Sequence, residues 1–147
     1  MKMKNTRFVP FEYLNFREYQ CLIKRLLSNV DEVCFSVYPF LDSMEELFVS
    51  GWKLADRRMK IVYDTEVTDG MKGKTSMIIM KYDYHGLDYF LDCRDIFYIF
   101  ENEDVGISIE NPAFIKDGEV VMYTVSHEKI CDIDENVWKK IIRNRED

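Results

Sequence analysis

The sequence predicts an α+β domain, residues 1–147 folding as one antiparallel meander of about 6–8 strands with two helices before it and one behind it. Three observations carry that reading. Helix-start signals with a three- and four-residue apolar period occur only near the two ends of the chain. Between them, apolar residues alternate or form runs of strand length such as Met77–Met80 and Ile96–Phe100, with turn dipeptides at His85-Gly86 and Asp117-Gly118. No repeat, linker or low-complexity segment divides the chain, and 147 residues suffice to bury ~68–70% of the unfolded surface in one core. A cone of the NTF2 type is an alternative way to fold the same series.

The first helix is expected from Asn15, with Glu18 three residues on as a capping-box partner and Leu14 and Tyr19 as a hydrophobic staple. Tyr19, Leu22, Ile23, Leu26 and Leu27 give its inner stripe. Val33, Phe35 and Val37 then alternate with Cys34, Ser36 and Tyr38 in a strand that Pro39 ends. Ser43 and Glu46 open a second helix, whose apolar side runs Met44, Leu47, Phe48, Gly51, Trp52, Ala55, with Arg57, Arg58 and Lys60 behind it.

Strands are expected at 59–64, after a loop at Asp69-Gly70 at 75–84, and at 87–93, the last two joined by a hairpin at His85-Gly86. Further strands are expected at 96–101, with a short helix after Asp95 as the alternative, and at 105–109, stopped by Asn111-Pro112. A tight turn at Asp117-Gly118 joins 114–116 to 119–126. Asp134 caps a final helix with Val137, Trp138, Ile141 and Ile142 inward.

Charge is distributed unevenly. Between Asp83 and Glu110 stand eight acids and the single base Arg94, a balance equal to the formal charge of −7 on the whole chain. Aromatic residues (Tyr84, Tyr89, Phe90, Phe97, Tyr98, Phe100) are interleaved with those carboxylates. In the hairpin register Asp83 faces Asp88 and Lys81 faces Phe90 on one side of the sheet, which would expose a ring among like charges. If instead a helix covers that side, Ile79 and Phe90 are buried and the acids form a rim. The expected partner-binding residues are Asp83, Asp88, Phe90, Asp92, Glu101, Glu103 and Asp104.

Motifs for catalysis and cofactors fail on spacing. Gly73-Lys74-Thr75 lacks the upstream glycine of a phosphate loop and leads into a strand. Ser126, His127 and Glu128 are neighbours, so on a strand they point apart. His127 and Cys131, like Asp132, Asp134 and Glu128, do not have metal-ligand spacing. No catalytic residue, metal or cofactor is therefore expected.

The four scattered cysteines read as reduced thiols, no apolar run reaches the ~18 residues of a membrane helix, and Lys2 and Lys4 precede no signal-peptide core, so the expected location is the cytoplasm. An acidic chain is a poor ligand for nucleic acid. The expected function is a non-catalytic protein-binding module that docks a basic protein partner, an immunity- or antitoxin-like inhibitor of a toxin being its most concrete form. Two alternatives stand beside it: a small enzyme or ligand-binding domain with an aromatic pocket in a curved sheet, using His127, and a homo-oligomeric (dimeric) subunit that buries Ile79 and Phe90 against its copy.

Overall fold

The computed structural model describes residues 5–38, 58–68, 71–102 and 106–145. The expected helix from Ser43 to Ala55, the turn at Asp69-Gly70, Glu103 and Asp104 lie outside the described residues.

The first helix, α1 (Phe16–Leu27), begins as its sequence requires. Asn15 Oδ1 accepts from the Glu18 amide at 2.9 Å, and Glu18 Oε1 accepts from the Asn15 amide at 3.2 Å. Such a cap is worth ~1 kcal/mol. Tyr19, Leu22, Ile23 and Leu26 are buried on its inner side. Lys24 and Arg25 occupy its last turn, where the helix dipole favours cations. Arg25 also donates to the Ile141 carbonyl at 3.1 Å, tying α1 to the last helix, α3 (Glu135–Arg145).

The strands are β1 (Thr6–Phe8), β2 (Glu32–Tyr38), β3 (Arg58–Thr68), β4 (Met71–Lys81), β5 (Phe100–Asn102), β6 (Ile107–Lys116), β7 (Glu119–Val125) and β8 (Ile130–Asp134). They form one open antiparallel sheet in the order β1-β8-β7-β6-β2-β4-β3, with β5 paired to β6 beside this path. Two stretches of meander, β3-β4 and β6-β7-β8, are joined by β2, which enters between β6 and β4. The central place suits its composition. Val33, Phe35 and Val37 pack under the helices, while Cys34 and Ser36 are small enough to be buried on the other side.

Residues 84–93 depart from expectation. They form a helix, α2 (Tyr84–Cys93), and not the returning strand of a hairpin. Asp83 is its N-cap, with Oδ1 accepting from the His85 amide at 2.9 Å. In ten residues, Leu87, Tyr89, Leu91 and Cys93 satisfy a period of two, and Gly86, Tyr89, Phe90 and Cys93 satisfy a period of 3.6. Burial separates the two. A strand would leave either Tyr89 or Phe90 outside, whereas the helix buries both rings. Arg94 ends it in the left-handed conformation, φ 60°.

The segment after it turns at Asp95, whose Oδ1 accepts from the Phe97 amide, so only Phe100–Asn102 remains strand. Nor does Asn111-Pro112 stop a strand. Asn111, at φ 56°, makes an irregularity within β6, where proline's missing amide is tolerated. The Asn111 amide donates to Ser126 Oγ at 3.0 Å and its Oδ1 accepts from the Ser126 amide at 2.8 Å. The turn at Asp117-Gly118 forms as expected, both residues at positive φ. Asp134 caps α3, accepting from the amides of Asn136 and Val137.

All three described helices contribute to one core with Phe35, Ile78, Met80, Phe114, Met122 and Ile133, so they share one face of the sheet. Cys34, Ser36, Ile79 and Glu110 are buried on the opposite face. No helix among the described residues is long and apolar enough to cross a membrane.

Candidate functional site

The helical course of 84–93 redistributes the predicted site. Asp88 and Asp92, one turn apart, lie exposed on the outer side of α2. Tyr84, one further turn back, is 62% exposed and continues their stripe. Neither aspartate forms an ion pair among the described residues. Asp83 is half-buried and spends its charge on the helix N-terminus. It does not confront Asp88 across a strand pair.

Phe90 is not a surface anchor. It is 1% exposed, its ring stacked 6.1 Å from Phe35, and its carbonyl accepts from the Tyr19 hydroxyl at 2.9 Å. Its place in the core also removes the oligomer interface that required Phe90 and Ile79 outside, since Ile79 is buried as well.

Glu101 is exposed but belongs to another surface. On β5 it pairs with Ser108, and Ser108 in turn with Tyr38, on the sheet face away from the helices. Glu110 lies on that far face too, 5% exposed. Its Oε1 is 3.2 Å from His127 Nε2, and its Oε2 accepts from Ser108 Oγ at 3.3 Å. The acidic stretch therefore supplies two surfaces on opposite sides of the sheet rather than one. Sequence reasoning missed the Glu110–His127 pair because 17 positions and a strand irregularity separate the two.

Geometry separates Ser126 from His127. Ser126 is buried with its hydroxyl bonded to Asn111, while His127 points to solvent beside Glu110. Cys131 lies in the core, where burial pushes its thiol up and away from the reactive thiolate. Burial likewise pushes the Cys93 thiol up, to about 11, and it donates to the Tyr89 carbonyl at 2.9 Å. Gly73-Lys74-Thr75 lies within strand β4, not at the start of a helix. Among the described residues no three His, Cys, Asp or Glu side chains converge as a metal site.

Beyond the C-terminus of α2 lies an open groove of about 610 Å³. Phe8, Phe11, Phe97 and Ile130 form its apolar lining, and Glu12, Arg94, Asp95, Glu128 and Lys129 its charges. A second hollow of about 230 Å³, lined by Phe16 and Tyr19, shares Phe11, Arg94 and Asp95 with it. The two bases fold onto rings: Arg94 Cζ lies 4.8 Å from the Phe16 centroid and Lys129 Nζ 5.8 Å from that of Phe97. Lys129 is also 3.9 Å from Asp95 Oδ2. His127 does not line the groove.

The fold and its surfaces define an α+β domain with its described helices on one side of an open sheet and an acidic stripe on the outermost of α2. Comparison with protein-family models, with curated proteins and with solved structures finds no match for this chain.

Proposed function

We propose that this chain is a non-catalytic protein-binding module that docks a basic surface of another protein through the outer side of α2. The observation that carries the reading is the stripe of Tyr84, Asp88 and Asp92, exposed and without ion pairs among the described residues. Its carboxylates are placed against local preference. Like charges one turn apart cost ~0.2–0.5 kcal/mol, and an acid in the last turn opposes the helix dipole. A surface that carries such a cost is suited to meeting positive charge from outside. Tyr84 adds an amphipathic ring of the kind enriched in interfaces.

An immunity- or antitoxin-like inhibitor that occupies the basic site of a toxin is the most concrete form of this reading. Cytoplasmic residence agrees with its four free cysteines. The reading requires no cofactor.

Affinity capture at low ionic strength tests it. A basic partner should be retained, and the Asp88→Asn/Asp92→Asn double variant should lose it by about tenfold or more, as for other removed steering charges. Retention that is indifferent to salt, or equal for the double variant, would overturn the proposal.

A further inference from the structure

We infer that the groove beyond α2 is a receptor for the side chain of an arginine in a basic polypeptide. The inference deepens the docking reading and rests on it, because the groove begins at Arg94 and Asp95, directly after the acidic stripe on α2.

Charge complementarity identifies the guest. Three carboxylates and two bases line the groove, a surplus of one negative charge. Asp95 is matched by Lys129. Glu12 and Glu128 have no ion pair among the described residues, and Arg94 is drawn over Phe16 towards the smaller hollow. One entering cation would leave the lining neutral.

The apolar lining selects the kind of cation. Phe8 is 50% exposed, an unusual position for a large apolar ring, and the half-buried Phe11 lines the same groove. A planar guanidinium can stack on such rings while donating to carboxylates at its edge, which a bare metal ion cannot do. The groove already holds one cation over a ring and near a carboxylate, Lys129 over Phe97 and beside Asp95, though as a compact ammonium and not as a planar group. The volume of about 610 Å³ lies in the range of ordinary ligand sites and exceeds what one side chain fills, leaving room for the flanking backbone.

The test is an NMR titration of the full chain with N-acetyl-arginine amide, run against N-acetyl-citrulline amide, which has nearly the same shape without the charge. The arginine probe should shift the amides of Phe8, Phe11 and Lys129, with the citrulline probe about fivefold weaker. In Glu12→Gln/Glu128→Gln the two probes should become equivalent, the spectrum itself reporting that the variant is folded. Equal response to both probes in the native chain, or shifts elsewhere only, would overturn the inference. Asp88→Asn/Asp92→Asn should leave the titration unchanged. Partner capture that persists while the arginine probe fails would remove the guest and spare the docking face, whereas the reverse result would remove the docking face alone.

Discussion

Helices α1 and α2 pack on the same sheet face, begin with side-chain caps and bury aromatic rings in one shared core, yet the charges on their outer surfaces are arranged differently. On α1 an acid occupies the first turn and two bases the last, as the dipole prefers. On α2 neither turn carries that complement, and Asp92 sits where a base would help. The inner sides are alike because one core dictates both. The outer sides differ because α1 carries complementary charges in both end turns, whereas α2 has its complement only at the caps, Asp83 and Arg94, and an acid, Asp92, in its last turn. If the outer side of α2 docks a partner, as proposed, the direction of its local energetics and not the number of its charges sets it apart.

That contrast can be measured. The largest effect should come from the shared inner side: Phe90→Ala should lower unfolding free energy by ~3–5 kcal/mol in chemical denaturation, the cost of a large buried ring. A Phe90→Ala chain of native stability that had lost its partner would instead restore Phe90 to the surface. Removal of either cap, Asn15→Ala or Asp83→Ala, should cost ~1 kcal/mol, since both helices depend on one. The outer sides should then diverge. Asp92→Lys on α2 should raise stability by ~0.3–1 kcal/mol while abolishing capture of a basic partner. The mirror substitution Lys24→Asp on α1 should lower stability by a similar ~0.3–1 kcal/mol and leave capture intact. Equal signs for the two changes would remove the distinction between the helices.

Much of the fold could be read where a signal is local. Asn15 with Glu18, the Asp117-Gly118 turn and the Asp134 cap each act within four residues, and each stands where the sequence put it. Residues 84–93 failed because ten residues can satisfy two periods at once, and only the space between α1 and the sheet decides between them. Asn111-Pro112 was read as an end because its compensation comes from Ser126, fifteen positions away.

The site was legible in the same proportion. Asp88 and Asp92 are exposed as expected, but on the outer side of a helix and not on the face of a hairpin. Phe90 was misplaced by the wrong period. The groove had no sequence signature at all, because Phe8, Glu12, Arg94 and Lys129 come from segments that meet only after the sheet has closed β1 onto β8.

The position of β2 has a consequence for synthesis. A strand made early, at residues 32–38, finds one neighbour at 76–81 and the other only at 108–115, and β1 waits still longer for residues 132–134. Such long-range pairings slow folding, since the ends of a large loop must meet before any bond rewards them. An emerging chain would therefore hold β1 and β2 unfinished until residues 132–134 had left the ribosome.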